Sequence, residues 1–173
     1  MNIKKKENVL ITGSTRGLGF YLASSFLKDN FNVIINGRIK SNFDSAKKIL
    51  GANGVIGDTT NLKDCKRIIQ KTEKENGPIQ ILICNVGSGK SVKIGHETNK
   101  EWKRVLDINL FSSINMIDAL VKYSKSKKIS VICISSICGH EIIPNAPITY
   151  SVAKSALNFY VKSYADYLYS KNI

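Results

Sequence analysis

TGSTRGLG, residues 12–19, follows the apolar run NVLI at 8–11 and leads into FYLASSFLK at 20–28. Its glycines, Gly13, Gly17 and Gly19, stand at G-x-x-x-G-x-G spacing rather than the commoner G-x-G-x-x-G. Such a stretch can be only a turn between a strand and a helix. It can also cradle phosphates, and each glycine then has a task. Gly13 lets the chain turn sharply off the strand. Gly17, without a Cβ, lets backbone N–H groups approach a pyrophosphate at the helix N-terminus. Gly19 lets that helix pack closely on the sheet. The surrounding sequence chooses between the two readings.

Outward from this turn, strand and helix patterns alternate. NVLITG (8–13) reads as a strand, and GLGFYLASSFLKDN (17–30) as a helix with Leu18, Leu22, Phe26 and Leu27 on one face and Asn30 as its stop. FNVIING (31–37) is a second strand, SNFDSAKKIL (41–50) an amphipathic helix ending at Gly51, and GVIGD (54–58) a third strand. The next helix carries Leu62, Cys65 and Ile69 at helical spacing and closes at Asn76-Gly77-Pro78. IQILICN (79–85) is apolar enough for a parallel strand buried on both faces. Thr98 and Glu101 form a capping box before a long helix bearing Trp102, Val105, Leu106, Leu110, Ile114, Ile117 and Leu120. ISVICIS (129–135) is the fifth strand, and a last helix runs from Tyr150 to about Tyr169. Strands joined by single helices pair in parallel. The expected fold is therefore α/β, a doubly wound, mainly parallel, Rossmann-like sheet with helices on both faces, in a single domain over residues 1–173. Ligands of such sheets sit at the carboxyl ends of the strands, where Gly13, Asp58, Asn85 and Ser136 fall.

A chain of this size buries about 70% of its unfolded surface and needs no staples. No apolar run approaches the roughly 20 residues of a membrane span, and the basic N-terminus lacks a signal-peptide core. The net charge is +13, but the lysines are spread along the chain, which argues against one dedicated nucleic-acid groove. Their short clusters are Lys4–Lys6 and Lys122–Lys128, the second at a predicted helix C-terminus that favours cations. Attraction to anionic cofactors remains open to such a chain. Cys65, Cys84, Cys133 and Cys138 form no CxxC pair, and the two histidines are isolated. Cys84 and Cys133 lie inside apolar strands, as small hydrophobes do. The expectation is a reduced, cytoplasmic protein without disulfide, metal or membrane anchor.

TGSTRGLG, followed in order by Asp58, CNVG at Cys84–Gly87, Asn109, Ser136 and YSVAK at Tyr150–Lys154, resembles the short-chain dehydrogenase/reductase family from residue 8 to the end. The resemblance implies a nicotinamide dinucleotide held by Gly13, Ser14, Thr15, Arg16, Gly17, Leu18 and Gly19. Asp58 and Thr59 would meet the adenine, while Asn85, Val86 and Gly87 would line the cofactor floor, with Val86 in place of the family's usual alanine. NAD-specific sites carry an acidic residue at the end of strand two. Here Asn36-Gly37-Arg38 has no carboxylate, and Arg38 with Arg16 suits a 2′-phosphate. NADP(H) is therefore expected over NAD(H).

Tyr150 and Lys154, four residues apart on a helix, point from one face. A free tyrosine titrates near about 10 and is a poor acid at neutral pH, and a nearby ammonium corrects this by favouring the phenolate. By the resemblance, Tyr150 gives its proton to a substrate carbonyl, Lys154 also holds the nicotinamide ribose, and Ser136 hydrogen-bonds the substrate oxygen. Asn109 holds a water that links Lys154 to solvent. Ser136 is preferred to Ser135 because it opens Ser136-Ile137-Cys138-Gly139, and strand alternation turns Ser135 to the other face. His140 has no evident partner. Tyr160, Tyr164 and Tyr167 follow helical spacing and suit core packing or a subunit interface.

Family members continue past the position of YLYSKNI (167–173) into further strands and a substrate-covering loop, so the fold reads as C-terminally incomplete, with strand five an open edge. The first functional reading is an NADPH-dependent reductase of a small carbonyl substrate, or dehydrogenase of the alcohol, assembled as a homodimer or homotetramer through the helices carrying Asn109 and Tyr150. The alternative is a truncated, weakly active or inactive NADP-binding module that works through a partner. A basic nucleic-acid-binding α/β protein is the third reading, and no specific nucleic acid is expected.

Overall fold

The structure is a computed structural model that describes residues 6–126 and 128–173, so Lys4, Lys5 and Lys127 of the basic clusters lie outside the described residues. Five strands form one sheet: β1 (Asn8–Ile11), β2 (Asn32–Gly37), β3 (Asn53–Ile56), β4 (Ile81–Cys84) and β5 (Ser130–Cys133), in the order β3-β2-β1-β4-β5. Every pairing is parallel, which obliges a crossover between successive strands. The crossovers are α1 (Gly17–Lys28), α2 (Lys40–Leu50), α3 (Leu62–Asn76), and α4 (Asn99–Leu106) running through one π-helical turn (Asp107–Phe111) into α5 (Ser112–Tyr123). A 3₁₀ turn (Ile137–Gly139) and α6 (Ile148–Ser170) follow β5. Among the described residues no helix is long and apolar enough to cross a membrane.

The two-residue period of the strands builds two cores. Val9, Ile11, Val33, Ile35 and Ile83 pack under Ala23 of α1 and Phe43 and Ala46 of α2. Leu10, Ile34, Leu82 and Cys84 face Ile68 and Ile69 of α3 and Met116, Ile117 and Leu120 of α5. Each fully buried aliphatic side chain contributes about 1.5–3 kcal/mol, and β1 is buried along its whole length. The chain steps outward from β1 to β3 on one face. It then returns through α3 on the other face to place β4 beside β1. That reversal opens a crevice between β1 and β4, the switch point where such sheets bind ligands.

Local rules explain the element ends. Gly51 closes α2 in the left-handed conformation, and Asn30, at φ 66, turns the chain after α1 as expected. The capping box is only half formed. Thr98 Oγ1 accepts from Glu101 N at 3.2 Å, but the Glu101 carboxylate reaches forward to Arg104 instead of back. Leu18 and Leu62, which helical spacing groups with the apolar faces, are 55% and 64% exposed. Both stand in the first turn of a helix, and the buried stripes are Gly19 with Ala23, and Cys65 with Ile68, Ile69 and Thr72. The last helix begins two residues before Tyr150, directly after Pro147, a residue whose fixed φ suits a helix start. Tyr164 stacks on Tyr167 and meets Tyr160 at a tilt, with Tyr160 and Tyr164 against the core.

Buried Asn8 ties the opposite end of the sheet together. Its Nδ2 donates to the carbonyls of Asn76 (2.9 Å) and Pro78 (2.7 Å), and its Oδ1 accepts from Asn32 Nδ2 (2.6 Å). Asn8→Ala leaves these carbonyls without their donor and is expected to cost about 1–3 kcal/mol in urea unfolding. An unchanged midpoint would show that water replaces the amide there.

Candidate active site

A cavity of about 650 Å³ lies along the carboxyl ends of all five strands. Its floor is fixed by Thr12 and Asn85. Thr12 N donates to Ile83 O (2.9 Å), and Asn85 N donates to Thr12 Oγ1 (3.0 Å). Asn85 Nδ2 donates to Thr12 O (3.1 Å) and Gly13 O (3.2 Å). Gly13 and Gly17 have φ of 61° and 55°, where a side chain is strained. A Cβ on Gly17 would meet nothing, so this position faces open space. A Cβ on Gly19 would run into Asn85 Nδ2 and lie 2.5 Å from Gly13 O. Gly19 thus lets the first turn of α1 close on its own loop as well as on the sheet.

Thr15, Arg16 and Leu18 line the cavity with the three glycines. Ser14 does not. It is buried, donates through Oγ to Ile11 O (2.7 Å) and accepts from Asn36 N (2.9 Å), so it welds the loop to β2. Arg16 and Arg38 both border the cavity, and Arg38 Nη1 lies 3.3 Å from Asp58 Oδ2. Asp58 does not cap α3, a role taken by Asn61. Its Oδ1 accepts from Thr60 N and Thr60 Oγ1. Burial pushes the Asp58 carboxyl up, but the Thr60 hydrogen bonds and Arg38 together outweigh this and hold it below its ordinary value. Thr59, Asn85, Val86 and Gly87 complete this part of the wall.

Tyr150 and Lys154 form the other end. Lys154 is 3% exposed, donates through Nζ to Ile134 O (2.7 Å) and stands 5.9 Å from the centroid of the Tyr150 ring. Burial lowers its pKa. A Cβ on Gly87 would lie 3.1 Å from Asn109 Oδ1 and 3.4 Å from Lys154 Nζ, so glycine there lets the three approach. Asn109 is buried in the π-helical turn and does not line the cavity. Its Oδ1 accepts from Ser88 N (2.8 Å), and Nδ2 donates to Ser88 O (3.1 Å) and Val105 O (3.0 Å). Both amide protons therefore hold protein carbonyls. Ser135, expected to face away, lines the cavity with a buried hydroxyl that has no protein partner. Ser136 is off the wall, and its Oγ accepts from Cys138 N (3.2 Å). Alternation misleads here because β5 ends at Cys133, before either serine.

Sequence reasoning missed a network between the loop after β4 and α6. Ser91 Oγ bonds Glu101 Oε1 (2.9 Å) and the buried Thr149 Oγ1 (2.7 Å). Arg104 holds both Glu101 oxygens (2.6 and 2.8 Å) and Lys90 O (2.8 Å). Only the i,i+3 spacing of Glu101 and Arg104 hinted at it. Lys90 and Arg104 also border the cavity, whose charged lining is five cations and Asp58. That balance suits an anionic ligand. His140 meets Asn158 Nδ2 at 3.1 Å on the surface.

The family model described as short chain dehydrogenase matches residues 7–173. The human protein dehydrogenase/reductase SDR family member 2, mitochondrial, is 27% identical over 170 residues, covering 95% of this chain and 60% of its own. The NADP-dependent (R)-specific alcohol dehydrogenase of Lentilactobacillus kefiri is 28% identical over 167 residues, 93% of this chain and 66% of its own. The crystal structure of an actinorhodin polyketide ketoreductase with NADPH superposes with a TM-score of 0.91 at 20% identity, over 100% of this chain and 69% of that one. The chain thus spans about two thirds or less of the length of these curated relatives.

Glu101 offers a test of the network. The Arg104 hydrogen bonds, followed by that of Ser91, lower its carboxyl from 4.5 to about 2. A depressed carboxylate stabilises the fold above its unfolded value, and that contribution is lost as the pH falls from 4.5 toward about 2. Carboxyl NMR should give Glu101 a midpoint near 2 that Arg104→Ala moves up toward 4.5. A wild-type midpoint already at 4.5 would remove the ion pair from solution.

Proposed function

The chain belongs to the short-chain dehydrogenase family, and from that premise we propose that it is an NADP(H)-dependent oxidoreductase that interconverts a carbonyl and a hydroxyl group, acting as a ketone reductase. The observation that carries this reading is Tyr150 and Lys154, one turn apart on α6, on the wall of a cationic cavity that starts at the glycine loop. The cofactor fits the residues present. Space stands open at Gly17, the α1 N-terminus faces an anion site by its dipole, and Arg16 and Arg38 border the same end. Support for the phosphorylated form comes from the lack of a carboxylate in Asn36-Gly37-Arg38, from the NADP dependence of the similar alcohol dehydrogenase and from the NADPH of the similar ketoreductase.

When bound, the nicotinamide supplies the hydride. Tyr150 gives its phenolic proton to the substrate oxygen, and the ammonium of Lys154 offsets the charge left behind. Ser136 stands next to the wall residue Ser135, accepts from Cys138 N and keeps its own proton, which it would give to a substrate oxygen that reaches past Ser135. Asn109 acts at one remove, holding Ser88 and so keeping Gly87 against Lys154. Asp58 and Thr59 would hold the adenine, and Asn85, Val86 and Gly87 would line the cofactor floor. We place all of this in one dinucleotide-binding and catalytic domain over residues 1–173. Copies assemble as a dimer or tetramer through α4–α5 and α6, where Phe111, Val152 and Phe159 are exposed.

Two experiments separate this reading from a binding module without turnover. General acid catalysis contributes about 10²–10⁴-fold. Tyr150→Phe should therefore lose at least about a hundredfold in NADPH-dependent ketone reduction while titrating with NADPH as the wild type does. A wild type that binds NADPH yet reduces nothing in a broad carbonyl panel supports the module instead. Arg38→Ala should weaken NADPH binding about ten- to a hundredfold, the worth of a charged hydrogen bond, and leave NADH unchanged. Equal losses for both cofactors would overturn the phosphate assignment.

A further inference from the structure

Beneath the candidate catalytic lysine lies a pair of thiols that the proposed reaction does not use. β4 and β5 pair in parallel with Cys84 directly opposite Cys133. In-register partners point to the same face, and strands run about 4.7–4.9 Å apart. That spacing lies within the Cα separation of about 4.4–6.8 Å that a disulfide spans. All four cysteines are free thiols, and they differ sharply in setting. Cys84 is sealed in the core. Cys133 is half-buried and forms part of a second cavity, about 400 Å³, between β5 and α6, walled by Ile117, Val131, Tyr160 and Leu168. A small neutral oxidant can therefore reach Cys133 and not Cys84. Cys65 is fully buried, donates Sγ–H to Thr59 O, and is pushed up to about 12 by burial.

We infer that Cys133 and Cys84 form a peroxide-sensitive dithiol, in which Cys133 is the site of oxidation and Cys84 the thiol that resolves it. The asymmetry has an electrostatic origin as well as a steric one. The adjoining Cys84 thiol holds Cys133 below its ordinary value, outweighing burial with help from the Lys154 ammonium, whereas the same pairing followed by burial raises Cys84 well above its ordinary value. The thiolate is the nucleophile. In the first step the Cys133 sulfur attacks one oxygen of hydrogen peroxide. The O–O bond breaks, hydroxide leaves and takes up a proton as water, and Cys133 becomes the sulfenic acid. In the second, the Cys84 sulfur attacks the Cys133 sulfur. The S–S bond forms as the S–O bond breaks, and the oxygen departs with the Cys84 proton as water. Two thiols have been oxidised by two electrons, and one peroxide reduced to two waters. The site does not depend on the oxidoreductase reading.

The test uses the folded wild-type chain and limiting hydrogen peroxide, followed by alkylation, digestion and mass spectrometry. The expected product is a peptide pair joined through Cys84 and Cys133, two hydrogens lighter than the reduced pair and restored by dithiothreitol. Cys84→Ala should instead leave a sulfenic acid on Cys133 that dimedone traps. Oxidation confined to Cys138 or Cys65, with Cys133 still alkylated as a thiol, would overturn the inference. So would a Cys133 oxidised in the wild type without any link to Cys84. The wild-type mapping alone decides the matter if the variant fails to fold.

Discussion

Everything at the cavity depends on how tightly β1 and β4 are held at the point where the chain parts. α1 leaves to one face of the sheet and α3 arrives from the other, so the two strand ends would splay if only the ladder joined them. The Asn85 amide prevents this by bonding two successive carbonyls, Thr12 and Gly13, while Thr12 returns a hydroxyl to the Asn85 N–H. The clamp needs the first turn of α1 almost in contact with it, and only a residue without a Cβ at position 19 permits that approach. The glycine spacing of the loop is thus a packing requirement of the crevice as much as a ligand requirement.

The other end is organised around a cation removed from water. A buried ammonium is costly unless its protons find partners. Lys154 gives one to Ile134 O and faces the crowded junction of Gly87 and Asn109. The surrounding shell is built mainly from backbone: the carbonyl of Ile134, and the loop at Ser88 that Asn109 grips on both its N–H and its carbonyl. Thr149, one residue before Tyr150, is tied through Ser91 to the Glu101–Arg104 pair. The helix that carries Tyr150 is therefore registered against the loop after β4 by side chains outside the Tyr150–Lys154 pair.

Much of this was legible in the residue order because periodicity and glycine chemistry are local. The alternation of elements fixes a parallel sheet, and four-residue spacing places Tyr150 and Lys154 on one face whatever else surrounds them. What was not legible depends on where an element stops or on strand register. Ser135 lines the cavity and Ser136 does not, the reverse of what alternation implies, because the strand ends at Cys133. Leu18 and Leu62 obey helical spacing yet sit in first turns, outside the buried stripes. Arg38 and Asp58 meet across twenty residues only because β2 and β3 pair. The opposition of Cys84 and Cys133 is likewise a product of register, which no local pattern encodes.

The π-helical turn at Asp107–Phe111 works as a phase shifter. An α-helix advances about 100° per residue, so one extra residue in a turn rotates everything beyond it by about that angle. Within the turn the helix shows Asn109 to the loop, and beyond it Met116, Ile117 and Leu120 to the sheet. A regular helix of the same composition would align one of these faces and misalign the other by roughly a quarter turn. The two ends of this helix are thus free to answer different demands in sequence, and the residue count between 107 and 111 is what keeps both answers compatible.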